Sequence, residues 1–199
     1  MNYVKLTDQN LKAHDGFQWE IGKWVTTSGE GELCTEGWLH CYSHILLAVL
    51  LNSIYGDIKN PRAWKVQVRG KKKIDCGLKY GFTKMRLLEE LPLPEITTTQ
   101  RVAFGILCAL EVYKEPRFVE WAQNWLSGKD RSQKAAEAAW AAGAVAEVAW
   151  AARTAAWAAG AVAEVAWAAW AEAARAAAWA ATEKEINLIA IAKQAMKIK

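Results

Sequence analysis

The sequence predicts an α+β protein: a small mixed sheet over residues 1–95, then an all-α module rich in alanine and tryptophan over residues 96–199. Three observations carry that expectation. Apolar and polar residues alternate in two N-terminal stretches, the period of a half-buried strand. Pro92 and Pro94 punctuate the chain where that pattern stops. From Ala135 to Ala181, 28 of 47 residues are alanine, the strongest helix former.

Taken in order, Phe17, Trp19 and Ile21 alternate with Gln18, Glu20 and Gly22 and predict a strand. Gly29-Glu30-Gly31 and Asn60-Pro61 are turn signals. Between them, His44 to Tyr55 is mostly aliphatic and long enough for a short buried helix. Trp64, Val66 and Val68 alternate with Lys65, Gln67 and Arg69, predicting a second strand that Gly70 ends. The basic run Arg69-Gly70-Lys71-Lys72-Lys73 then reads as a solvated turn between strands.

Beyond Pro94 the signals are helical. Thr97-Thr98-Thr99-Gln100 fits a capping box, in which hydroxyl and amide side chains satisfy free backbone groups. It opens a helix ending near Lys114, with Val102, Ile106, Ala109 and Leu110 on one face. Pro116 suits the first position of the next helix, since its missing N–H costs nothing there. Phe118, Trp121, Ala122 and Trp125 make the apolar face, and Gly128 stops it. Asp130 to Gln133 supplies a new N-cap, and Thr182 to Glu185 another capping box. The last helix carries Leu188, Ile191, Ala192, Ala195 and Ile198 at amphipathic spacing.

The alanine-rich tract is an internal duplication. Ala138–Ala152 reads AAWAAGAVAEVAWAA, and Ala155–Ala169 repeats it letter for letter, 17 residues on. At about 100° per residue that shift turns the pattern by roughly −100°, so Trp140 and Trp157 share no stripe on a straight helix. Either one long helix shows tryptophan on several sides, or the tract breaks near Gly143, Arg153-Thr154 or Gly160 into packed helices. A β-solenoid is disfavoured by the lack of regular turn residues. Exposed indoles of about 150–250 Å² each would invite aggregation. Burial of Trp140, Trp150, Trp157, Trp167, Trp170 and Trp179 is therefore expected, against other parts of the chain or in a homo-oligomer.

Composition excludes several function classes. With 25 basic and 21 acidic residues, the net charge of +4 is mild for a dedicated nucleic-acid-binding domain, so a nucleic-acid partner is not expected. The longest aliphatic run is Ile45–Leu51, and Glu137, Glu147, Arg153, Glu164, Glu172 and Arg175 interrupt the alanine tract. No window approaches the roughly 20 apolar residues of a membrane span. Met1–Lys5 leads into polar sequence without a signal-peptide core. A soluble, cytoplasmic protein is expected, with Cys34, Cys41, Cys76 and Cys108 as reduced thiols.

The segment from Cys34 to His44 holds two thiols and two imidazoles, types that ligate zinc. On a helix, His40 and His44 would share a face. Six residues separate Cys34 from Cys41, unlike the usual tight pair, and no second knuckle follows. Core packing of Cys34, Trp38 and Cys41 is preferred, and no metal or cofactor is expected. A nucleophilic pair of Cys41 or Cys34 with His40 or His44 would need a lowered thiol pKa and a third, orienting group. The stronger candidates are ligand-binding: Trp19, Trp24, Trp38 and Tyr42, with His40, His44 and Arg69. Aromatic surfaces with nearby cations suit a nucleotide or base; packing of these rings in a small sheet core is the preferred reading over ligand stacking.

Gly16-Phe17-Gln18-Trp19-Glu20-Ile21-Gly22-Lys23 and Leu33-Cys34-Thr35-Glu36-Gly37-Trp38-Leu39-His40-Cys41 resemble an uncharacterised family of phage and prophage proteins. Its members begin with a G-F-Q-[YW]-E-x-G-K strand, continue with L-C-x-x-G and an aromatic/His/Cys segment, and often carry an alanine-rich tail. The resemblance covers roughly residues 1–95, and the tail in character. Many members read Gly-Phe-His directly, whereas Leu39 separates Trp38 from His40 here. Trp121 to Ser132 is similar in composition to helical arrays of some bacterial immunity-type proteins. The phage resemblance implies an accessory, counter-defence protein that sequesters a host defence factor or a small nucleotide-like signal. Its helical tail would assemble it. The alternatives are a nucleotide-acting enzyme using His40, resembling ADP-ribosyltransferases or a hydrolase, and a purely structural scaffold.

Overall fold

The alternation at Trp64 to Arg69 belongs to a strand much longer than its pattern suggests. In a computed structural model of the chain, which describes residues 3–142, 154, 155, 157, 159, 169–180 and 186–199, the N-terminal unit is built on a hairpin. Its arms are β4 (Arg62–Asp75) and β5 (Lys79–Leu91). Before them come β1 (Tyr3–Thr7), β2 (Val25–Thr26), β3 (Leu39–Cys41), α1 (Ile45–Leu50) and α2 (Asn52–Tyr55). The sheet order is β1-β4-β5-β2, with β3 also on β5, and every pair is antiparallel. The hairpin tip turns at Cys76 and Gly77, both with positive φ, and the Leu78 N–H donates to the Asp75 carbonyl at 2.7 Å. Two such residues give the twist that antiparallel neighbours need.

Three expectations are corrected here. Gly70 does not end its strand, and the basic run is not a turn. β4 continues through it, with the register shifting between Arg69 and Lys72. Gly70 has φ +83°, and a Cβ there would lie 2.1 Å from Thr83 Oγ1, so glycine is required at this bulge. The third correction is that residues 17–21 are not a strand. Gly16 and Gly22 turn the backbone at both ends with φ of +76° and +80°. Only single bridges, Lys12 to Gln18 and Ile21 to Leu87, hold the segment. Trp19 goes fully inside, while Phe17 and Ile21 stay about half exposed.

The core of this unit gathers Tyr3, Trp19, Trp64, Phe82, Met85 and Leu87 in one cluster. Trp64 Nε1 donates to Thr7 Oγ1 at 2.9 Å, a buried bond that keeps a large ring from stranding its N–H. Near β1 lies α1, with Leu46, Leu47, Ala48 and Leu50 buried. His44 caps that helix, its Nδ1 accepting from the Leu46 N–H at 3.2 Å.

The chain divides into two compact units at Glu95/Ile96. The second contains α3 (Thr98–Val112), α4 (Pro116–Ser127), α5 (Gln133–Ala142), α6 (Ala169–Ala180) and α7 (Leu188–Ala195). The Thr97–Gln100 capping box forms, with reciprocal bonds of 3.2 and 3.0 Å. Pro116 stands in the first turn of α4, and Gly128 ends it at φ +79°. Ser132 Oγ accepts from the Ala135 N–H at 3.3 Å at the start of α5. The Thr182–Glu185 box lies outside the described residues. α7 is capped instead by Asn187, and Leu188, Ile191, Ala192 and Ala195 form its buried face.

α3 packs against α6 and α7. Trp170 on α6 is buried, but Trp179 and Trp157 keep 54% and 47% of their surface exposed, so the chain does not hide every indole of the tract. Trp150, Trp167 and the side chain of Trp140 lie outside the described residues. No helix among the described residues is long and apolar enough to cross a membrane. The α3–α6 contact turns on Gly105, where a Cβ would sit 3.0 Å from the Trp170 Cα and 3.1 Å from its carbonyl oxygen. Helix propensity alone would make Gly105→Ala stabilising by about 1 kcal/mol. Backbone atoms of a packed helix cannot rotate away as a side chain can, so the crossing must widen. The expected result is a net loss of roughly 1–2 kcal/mol, read as a lower urea midpoint at unchanged m-value.

Candidate functional site

The alternation along β4 and β5 that turns Val68 and Met85 toward the core turns their neighbours to the other face. Gln67 pairs with Arg86 and Arg69 with Lys84. β2 lies beside β5 with Thr26 opposite Lys84, which brings Trp24, just before β2, onto the same face. The Arg69 and Arg86 guanidinium carbons each lie 4.9 Å from the Trp24 ring centroid, and Lys84 Nζ lies 5.2 Å from it. Arg86 Nε also donates to Gln67 Oε1 at 2.8 Å. Among the described residues none of the three cations has a carboxylate within ion-pair distance. The negative face of the indole offsets their mutual repulsion, at about 0.5–1 kcal/mol for each exposed cation–π contact. It leaves their charge unneutralised. Such a cluster can hold an anion and offer a partly exposed ring to a flat one.

Of the seven candidate ligand-binding residues, the structure brings Trp24 and Arg69 together. Trp19, Trp38 and Tyr42 are buried in the unit. Trp38 Nε1 donates to the Gly31 carbonyl at 3.1 Å. His44 is spent on its cap. His40 Nε2 faces the Leu33 carbonyl, which only accepts, so that nitrogen carries the proton. Lys84 and Arg86 are not among those seven candidates. The signal for them is the Lys84-Met85-Arg86-Leu87 alternation, a second strand pattern of the same kind as Trp64 to Arg69.

The Cys/His segment does not converge. β3 alternates His40 and Cys41 to opposite faces of the sheet, which prevents their ligating one ion together. Cys41 is fully buried, and burial pushes its thiol up to about 12. Exposed Cys34 accepts from Lys79 Nζ at 2.9 Å. That ammonium also lies 3.9 Å from the Tyr55 ring centroid. No group of three or more His, Cys, Asp or Glu suited to a metal occurs among the described residues. A cavity of about 340 Å³ opens near the free end of the hairpin, lined by Gln9, Pro61, Arg62, Glu90 and Leu93 among others. Its charges are paired across it, Arg62 to Glu90 at 2.6 Å.

Residues 1–99, just under half of the chain, match the profile of a domain family described as a domain of unknown function (DUF7666). No curated protein matches the chain, and neither does any solved structure.

Half-buried His40 and buried Lys5 are both held below their ordinary values. Burial lowers His40 to about 4, with Lys5 and Lys79 contributing to the same direction against the Leu33 hydrogen bond. Burial lowers Lys5 to about 8, its ammonium donating to the His40 carbonyl at 2.9 Å and lying 5.1 Å from the Trp19 ring centroid. Between its ordinary 6.5 and about 4, unfolded His40 takes up a proton that folded His40 refuses. Stability should therefore fall as pH drops through that window. Urea titrations at stepped pH should show that fall in the wild type and a shallower one in His40→Gln. Equal slopes would remove His40 as the responsible group.

Proposed function

We propose that the N-terminal unit is a binding module that takes a nucleotide-like ligand on the sheet face at Trp24. The observation that carries this reading is the set of three cations, Arg69, Lys84 and Arg86, gathered around one indole without a carboxylate partner among the described residues. Phosphate oxygens would answer the charge, with guanidinium forks giving paired hydrogen bonds. A base would stack on the indole or on a guanidinium plane. The resemblance to phage and prophage proteins supplies the setting, in which such a module sequesters a host signal and so blunts a defence.

Fluorescently labelled ATP and a labelled dinucleotide, titrated into the full chain and followed by anisotropy, test this directly. Trp24→Ala and Arg86→Gln should each weaken binding about tenfold, equivalent to about 1.4 kcal/mol, while His40→Gln leaves it within about twofold. Saturable binding that both variants leave intact, or no binding by the wild type, overturns the reading.

The helical unit is proposed to assemble copies of the chain. Half-exposed Trp157 and Trp179 support this, because apolar rings of that size are commonly covered in assemblies. Sedimentation velocity should show a mass above the monomer that Trp179→Glu lowers. A wild-type monomer across the accessible concentration range removes the proposal.

A further inference from the structure

Resting on the reading of Trp24 as a nucleotide site, we infer that the natural occupant is a single strand of nucleic acid laid along β4 and β5, not a lone nucleotide. The whole-chain charge of +4 conceals a local concentration. Residues 62–86 hold nine lysines and arginines and one acid, Asp75. Arg62, Lys65 and Lys73 are matched by Glu90, Glu89 and Glu32 at 2.6, 2.8 and 3.7 Å. Arg69, Lys71, Lys72, Lys84 and Arg86 have no such partner among the described residues.

The arrangement is linear. Arg86 stands one row from the Arg69–Lys84 pair, two residues along the strand and so about 6.7 Å away. Lys71 follows beyond that pair, past the Gly70 bulge. Its backbone N–H is fixed by Thr83 Oγ1 at 3.0 Å, and its stem lies 3.2 Å from where a Cβ of Gly29 would be. A bulge re-aims the side chains that follow it. Cations strung along a strand match a linear polyanion, whereas a mononucleotide reaches only those beside Trp24. A partly exposed indole selects unpaired bases, because a duplex keeps its base faces stacked inside.

The test uses the full chain and 5′-labelled thymidine and uridine oligomers of about four, eight and twelve nucleotides, spanning typical single-strand site sizes. A labelled mononucleotide, a duplex of the same length and a polyglutamate peptide are measured beside them. Affinity should rise at least tenfold from mononucleotide to the eight-nucleotide strand. It should fall with salt at about 0.7 in log–log slope per phosphate contacted. Lys71→Gln should weaken the oligomer severalfold and lower that slope by about one contact, leaving mononucleotide affinity unchanged; Lys129→Gln should change neither. Equal affinity for mononucleotide and oligomer, with Lys71→Gln silent, overturns this inference and leaves the nucleotide site standing. Tighter binding of duplex or polyglutamate overturns it as well, and binding of no nucleotide probe overturns both readings.

Discussion

The N-terminal unit depends on the pairing of β4 with β5. Each of these strands is longer than the other three strands of the sheet together, and β1, β2 and β3 attach to one or the other of them. Because strand side chains alternate, that single pairing makes both the core and the candidate site. Val68 opposite Met85 belongs to the apolar side, and Arg69 opposite Lys84 to the charged side. A one-residue slip would bury two cations and expose the core. The register is therefore held by hydrophobic burial, and the geometry of the cations follows from it.

Breaks in the ladder matter as much as the ladder. At Gly70 two residues of β4 are accommodated while Thr83 alone separates Lys84 from Phe82 on β5. The Thr83 hydroxyl fills the place a side chain at position 70 would take and accepts the Lys71 N–H. The bulge thus meets its hydrogen-bonding need locally, as a backbone donor removed from its regular partner must. It also changes which face the basic run presents, so the charges of residues 69–73 are divided. Lys72 lies 5.0 Å from the Tyr80 ring centroid and Lys73 lies 5.5 Å from that of Trp38, while Arg69 stays with Trp24.

Much of the helical unit was legible because its signals are local. The Thr97 box, Pro116 and the Gly128 stop each depend on a few adjacent residues, and each stands where the pattern puts it. The sheet was legible only in part. Trp64 to Arg69 announced β4, but the alternation at Phe17 to Ile21 was equally regular and formed no strand, since glycines with positive φ at either end isolate it. Gly70 resembled a terminus because a bulge and a strand end use the same residue. The site was half legible. Residue type points to Trp24 and Arg69, but their convergence with Lys84 and Arg86 is set by a cross-strand register that sequence spacing does not contain. His40 and Cys41 misled for a related reason: adjacency in sequence means opposite faces on a strand.

Aromatic rings hold several of this unit's cations, beside the carboxylates that pair others. Lys5 is held by Trp19, Arg62 by Trp64 as well as Glu90, Lys72 by Tyr80, Lys79 by Tyr55, and three cations by Trp24. The distinction is physical. A carboxylate cancels a cation's charge, whereas a ring orients it through its quadrupole and leaves the net charge in place. Inside the fold that has a cost, visible in the downward shift of Lys5 to about 8. At the surface the same chemistry keeps cations close together, ordered and uncompensated. An anion arriving there meets side chains already held in place by the ring, so less conformational freedom is lost on binding.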